Sequence, residues 1–204
     1  MNKELLFIIS LMLFSLNCIA ENSVATKCKK LVVDYARSCG DAANVNSLPG
    51  LELGECAVMQ VNSKSVWNAS GLRFDSGSTY LIKAKEDDTW CDASIETNAQ
   101  GWQLDKQYNS CVCEETIEFS GVNKLFFSMA EYLGLRRYSD ANWFELIGVN
   151  KNKTEKEETV IGLKNEIVAN KTGEFCAYAN DMSGFYFNNK GSVNIEITRI
   201  NHAE

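Results

Sequence analysis

At 204 residues, with 45% hydrophobic and 23% charged side chains, the chain has the composition of a globular protein and too much apolar content to stay disordered. A net charge of −7 without any basic cluster argues against nucleic acid as a partner, because phosphates must be neutralised by Lys and Arg. The same balance offers nothing to an anionic membrane surface.

Residues 1–20 read as a secretory signal peptide. Lys3 supplies a short basic start, residues 5–16 are apolar but too few to span a bilayer, and Ala20 closes a small-residue cleavage site. Asn17 before Cys18 is not the small residue that a lipoprotein site needs. No second apolar stretch reaches spanning length, so no membrane span is expected and the location expected is secreted or periplasmic. Beyond the leader lie Cys28, Cys39, Cys56, Cys91, Cys111, Cys113 and Cys176, with no CxxC pair. In an exported chain these predict disulfides rather than a zinc site, and their odd number leaves one thiol free or paired outside the chain. Cys111 and Cys113 share a face if the segment is extended, and are expected to bond to different partners rather than act as a redox pair.

In residues 26–40 the positions Cys28, Leu31, Val32, Tyr35 and Cys39 follow a helical stripe that Gly40 would close. This predicts a short N-terminal helix within an appendage covering residues 21–55. Eleven residues of helix span about 16 Å, which is too far for Cys28 and Cys39 to bond to each other. From Cys56 onward the period changes to two. Ala57, Met59 and Val61 alternate with polar or outward positions, as do Tyr80, Ile82 and Ala84, and again Val193, Ile195 and Ile197. Shorter apolar runs at 143–149, 159–163, 166–168 and 175–179 are separated by Gly, Asn and Ser turns. The fold class predicted is all-β, an antiparallel β-sandwich over residues 56–204, with one further short helix within 125–135 and a charged hairpin tip at 151–158.

Catalytic patterns are sparse. His202, the single histidine, lies beside the chain end, and no GxSxG or phosphate-binding loop occurs, so the chain is not expected to be an enzyme. The neighbouring carboxylates Asp87 and Asp88, and Glu114 and Glu115, point to opposite faces on a strand and read as solvated loop charges. Asn68, Asn152 and Asn170 each open an N-x-S/T sequon.

Residues 179–191 carry the strongest chemical signal. Asp181, Asn188 and Asn189 lie in a loop punctuated by Gly184 and Gly191, between an apolar run and the final strand pattern. Calcium takes six to eight oxygen ligands from carboxylates, amides and main-chain carbonyls, often within one loop. The same residue types also make ordinary turns.

Several spaced segments, taken in order, resemble the calcium-dependent galactose-binding lectins of the PA-I type. They are VWNASGLRF at 66–74, GSTYLIKA at 77–84, TWCD at 89–92, NWFELIG at 142–148, and GEFCAYAND at 173–181 with YFNNKG at 186–191. The resemblance covers roughly residues 56–200 and leaves out residues 26–40 and much of 105–139. It implies a jelly-roll-like β-sandwich with a Ca2+ ion held by the side chains of Asp181, Asn188 and Asn189 and by the carbonyls of Phe185 and Ala93. It further implies a glycan partner, its hydroxyls bonded by Asp181 and Asn188 and its ring covered by Trp102 or Tyr186. Family members that bind galactose also use a His and a Gln, whereas residues 99–108 (AQGWQLDKQY) contain no His, so galactose specificity is not carried over. The alternative is an exported sandwich that binds a protein partner or serves structurally, with sugar binding lost.

Overall fold

The computed structural model describes residues 27–201 except 43, 113 and 114. The signal peptide expected at residues 1–20, together with Cys113, Glu114 and His202, therefore lies outside the described residues. In chain order the elements are β1 (Lys29–Lys30), β2 (Cys56–Asn62), β3 (Asn68–Phe74), β4 (Thr79–Ala84), β5 (Trp90–Asp92), β6 (Ile95–Thr97), β7 (Gln107–Asn109) and β8 (Thr116–Glu118). There follow the helix α1 (Gly121–Tyr132), β9 (Leu146–Lys151), β10 (Lys156–Val160), β11 (Lys164–Val168), β12 (Gly173–Ala179) and β13 (Lys190–Asn201). One sheet runs β1-β2-β13-β4-β11, with β5 and β6 continuing from the start of β13. The other runs β10-β9-β12-β3, and β7 and β8 form a separate ribbon. All pairs are antiparallel except β1 with β2. Among the described residues, no helix is long and apolar enough to cross a membrane.

The period-two reading places the core correctly. Ala57, Met59 and Val61 of β2, Tyr80, Ile82 and Ala84 of β4, and Val193, Ile195 and Ile197 of β13 all point inward. They meet Leu72, Phe74, Phe175, Ala177 and Ala179 from the second sheet. Phe74 stacks on Tyr80 and Phe175 at centroid separations of 3.7 and 4.7 Å. β12 is buried along its whole length, which explains why its sequence reads as a continuous apolar run rather than an alternation. Its outer residues Cys176 and Tyr178 form a second cluster with Cys39, Ala69, Ile147 and Val149.

The N-terminal helix is not present. Residues 27–40 run extended and in turns, and the segment is woven into both sheets. Leu31 N–H donates to Val58 O (2.9 Å), Asp34 bridges Ala69, and disulfides join Cys28 to Cys56 and Cys39 to Cys176. Leu31 and Val33 pack on the core, while Val32 between them is 92% exposed. The helical stripe counted Val32 and Tyr35 as inward; both point out, and residues 31–33 alternate as a strand does before the chain turns. Glu174 locks the segment. It is fully buried, pairs with both terminal nitrogens of Arg37, and accepts from Gly71 N and Gly40 N at 3.0 and 3.2 Å. Such bidentate, charge-assisted bonding compensates the cost of burying the carboxylate.

The third disulfide, Cys91–Cys111, ties β5 to the turn after β7. Three disulfides indicate an oxidising compartment. Near this disulfide, Trp102 stacks between Phe119 and Trp143 at 4.8 and 5.5 Å, and Phe127 of α1 meets both tryptophans edge-on. Gly101 makes the stack possible: its φ is +71°, and a Cβ there would lie 2.2 Å from Trp143 O and 2.5 Å from Glu145 N. Gly101→Ala is expected to cost about 3 kcal/mol or more and to lower the melting temperature by roughly 10 °C. A thermal melt within about 2 °C of the parent protein would show that the backbone accommodates the methyl group at little cost.

Candidate cation site

The loop between β12 and β13 brings together the residues the sequence singled out. Asp181 lies just past the end of β12 and is buried; its Oδ1 accepts from Met182 N (2.6 Å) and its Oδ2 from Asn189 Nδ2 (3.0 Å). Asn189 is fully buried, and its amide nitrogen also donates to Ser63 O (3.1 Å). With both amide protons committed, Asn189 Oδ1 faces no donor. Neither does Asn188 Oδ1, at the end of the 3-10 turn Tyr186–Asn188. Two buried amide oxygens without protein partners on consecutive residues need a donor or a cation from outside the described residues, a water or a ligand, since each such atom costs on the order of 1–3 kcal/mol if left unmet.

Asp92, at the end of β5, is a candidate that sequence reasoning missed. Burial, and after it the charge of Asp181, push its carboxyl up to about 7, although Trp102 Nε1 donates to its Oδ2 at 2.9 Å. Burial also raises Asp181, against the opposing bonds from Asn189 and Met182 N–H. Neither carboxylate has an ion-pair partner among the described residues. Asp92 was hidden because a charged residue on the inward face of a strand ordinarily contradicts the strand assignment; only its long-range neighbours explain it. Ala93, the next residue, turns the chain into β6 with φ +52°. Phe185 O accepts from Asn188 N at 3.3 Å and keeps a second lone pair.

The donor set fits a hard cation. It combines carboxylate, carboxamide and carbonyl oxygens, the ligand types such a cation takes. No group of three or more His, Cys, Asp or Glu placed to hold a metal occurs among the described residues, so carboxamide and carbonyl oxygens would have to supply much of the shell.

The expected sugar-facing aromatics are elsewhere. Trp102 is fully buried in its stack, and Tyr186 is buried with its hydroxyl donating to Ala179 O at 2.8 Å. Neither offers a free ring face. The exposed rings of this loop are Phe185 and the 75% exposed Phe187, with centroids 6.2 Å apart. Residues of the 99–108 loop line an open polar cleft of about 360 Å³, which Thr97, Asn98, Gln100, Gln103, Tyr108 and Asn142 surround. Asn142 connects this cleft to the loop after β12, its carbonyl accepting from Asn180 Nδ2 at 2.9 Å.

Arg137 braces the site from behind. Its guanidinium lies 3.8 and 3.6 Å from the ring centroids of Trp67 and Tyr178 and donates to Val66 O and Tyr186 OH at 2.5 and 3.2 Å. Its main-chain N–H donates to Asp181 O at 3.2 Å. The described residues contain no histidine, and Cys28, Cys39, Cys56, Cys91, Cys111 and Cys176 are all in disulfides, so no Ser-His or Cys-His pair assembles among them.

The raised Asp92 carboxyl gives the cation-free protein a defined pH dependence. An unfolded Asp ionises near 3.9, while the folded one holds its proton until about 7. Stability is therefore retained below about 4 and declines as pH rises from there to about 7. In chelator, the melting temperature is expected to fall between pH 5 and 7.5, and Asp92→Asn is expected to flatten that fall. An unchanged slope in Asp92→Asn would assign the effect to other groups.

The chain is thus an all-β sandwich with three disulfides among its described residues and a loop before β13 that buries Asp181 and Asn189 and exposes Phe185 and Phe187. No family model matches the sequence, and no curated protein matches it. Among solved structures it is similar to the N-terminal domain of EclA, described as a PllA-like lectin. The TM-score is 0.41 at 14% identity, over 70% of this chain and 94% of that one.

Proposed function

We propose that this protein is a secreted carbohydrate-binding module that uses a calcium ion in the loop before its last strand. The observation that carries the reading is the pair of unpartnered amide oxygens on Asn188 and Asn189, next to an Asp181 that shares its buried surroundings with Asp92. Asp181, Asn188 and Asn189 would hold the ion through their side chains, with the carbonyls of Phe185 and Ala93 completing the protein's share. When bound, the ion would supply a hard Lewis-acidic centre able to take two vicinal hydroxyls of a sugar. The ordered segments that resemble PA-I-type lectins support the same assignment. In place of the buried Trp102 and Tyr186, Phe185 and Phe187 are the rings available to cover the apolar face of a pyranose.

The burial of Trp102 and Tyr186 and the lack of a His in the 99–108 loop favour one second reading, a sandwich in which calcium only fixes loops and the partner is a protein. A glycan array probed in calcium and again in chelator separates the two. Binding lost on chelation and restored by calcium supports the lectin reading. A blank array, or binding indifferent to chelator, removes it.

A further inference from the structure

One large feature of the molecule is untouched by the site chemistry. α1 rests on the sandwich by one side only. Phe127 packs against Trp102 and Trp143, Ala130 is buried, and Glu131 Oε1 accepts from Trp143 Nε1 at 2.8 Å. The opposite side carries Val122, Leu125, Phe126, Met129, Tyr132 and Leu133, every one of them more than half exposed and Tyr132 90% exposed. The two charged residues of the helix, Lys124 and Glu131, fall outside this stripe. At 100° per residue the six side chains occupy one continuous face, and Leu133 N still donates to Met129 O, so the turn is helical to its end.

We infer that α1 is the interface of a homodimer, in which two copies of this chain pair their helices antiparallel about a two-fold axis. Two observations favour a second copy over other occupants. The first is self-complementarity. The central residues Val122, Phe126, Met129 and Leu133 are spaced four, three and four apart, a pattern unchanged when reversed. A two-fold axis through the middle of α1 sets Val122 against Leu133 and Phe126 against Met129 of the partner copy, the condition for an isologous contact. The spacing is that of a coiled-coil seam.

The second observation is area. Six large apolar side chains, each more than half exposed, present several hundred Å² in one patch. That is at or above the ~300–600 Å² of the largest patch on a typical monomer, and close to the ~800 Å² each partner contributes to a standard interface. A lipid surface fits less well. Interfacial helices carry Lys and Arg along the polar face, whereas α1 has one Lys and the chain carries a net charge of −7.

The pairing has a consequence for the site. The segment after α1 is tied directly to the candidate cation loop, with Arg136 bridging Met182 and Arg137 N–H donating to Asp181 O. A dimer through α1 therefore carries two such loops on one rigid frame, which favours divalent ligands if the proposed function holds. The dimer itself does not depend on that function.

Light scattering after size exclusion, with sedimentation equilibrium from about 1 to 100 µM, tests it. The expected mass is twice that of the chain, and the doubly substituted Phe126→Glu, Met129→Glu protein is expected to be monomeric, with dimer dissociation raised at least 100-fold. Phe126 meets Phe127 edge-on at 5.3 Å but neither substituted residue has a ring contact with Trp102 or Trp143, so the tryptophan bands of its near-ultraviolet dichroism should match the parent. If it fails to fold, concentration-dependent hydrogen-exchange protection of residues 121–133 in the unsubstituted protein decides instead. A parent protein that is monomeric at about 100 µM, a dimer indifferent to the substitutions, or a monomer that co-sediments with phosphatidylcholine vesicles would each overturn the inference.

Discussion

Replacing Asp181 with Asn is expected to weaken calcium binding at least 100-fold while leaving the cation-free protein as stable as the parent, or more so, at pH 8. The two effects have opposite signs for one reason. Burial raises the Asp181 carboxyl, so its ionised form is unfavourable in the folded protein until something positive neutralises it. Asn removes that penalty, and its one side-chain oxygen can still accept from Asn189 Nδ2 where Asp181 Oδ2 does so now, at 3.0 Å, while the bond that Oδ1 accepts from Met182 N is given up, which offsets part of the gain. The same substitution removes the formal charge that a divalent cation needs from this loop, and a lost ligand costs more than the 10–100-fold typical of outer-shell changes. Melting curves in calcium and in chelator read both effects. A Tm that drops in chelator, or a calcium-dependent rise equal to the parent's, would show that Asp181 serves the fold and not a cation.

The second large effect is expected from the Cys39–Cys176 disulfide. It closes a sequence separation of 137 residues and sits fully buried between the N-terminal segment and β12. Restricting the unfolded chain over so long a loop is worth on the order of 4–5 kcal/mol. At about 2–4 °C per kcal/mol for a domain of this size, Cys39→Ala with Cys176→Ala is expected to lower the melting temperature by roughly 10–20 °C. The segment that the disulfide anchors also presents Arg37 to the buried Glu174, so its release would expose an unpaired buried carboxylate. A loss of less than about 5 °C would mean that Glu174 and the Asp34 bridge hold the segment without the sulfurs.

Much of the sandwich was legible because three long strands bury one face each. Ala57, Met59 and Val61, Tyr80, Ile82 and Ala84, and Val193, Ile195 and Ile197 alternate cleanly, and alternation fixes which side faces the core. The loop of Asp181, Asn188 and Asn189 stood out as a candidate because oxygen-bearing side chains are concentrated before the last strand. The N-terminal segment misled for a local reason. Cys28, Leu31, Val32, Tyr35 and Cys39 satisfy a helical period, yet the chain follows β2 and then β3, and its extension is enforced by disulfides to residues far away in sequence. Trp102 and Tyr186 misled because an aromatic near a binding loop looks alike whether it faces solvent or the core. Only the stack with Phe119 and Trp143, and the bond from Tyr186 to Ala179 O, decide the matter. Asp92 did not stand out, because its raised carboxyl comes from burial first and then from the charge of Asp181, 89 positions later in the chain, and neither is visible locally.

Isothermal titration of the chelator-treated protein with calcium at pH 7.5 measures the central claim most directly. One ion per chain is expected, with a dissociation constant at or below about 1 mM, the range of extracellular calcium modules. The same concentration range should raise the melting temperature and, when the titration is repeated near pH 6, below the value of about 7 to which Asp92 is pushed, release protons from the Asp92 and Asp181 pair. No heat, no proton release and no change in melting temperature at about 10 mM calcium would contradict it, and would leave Asn188 and Asn189 as polar turn residues with unmet oxygens.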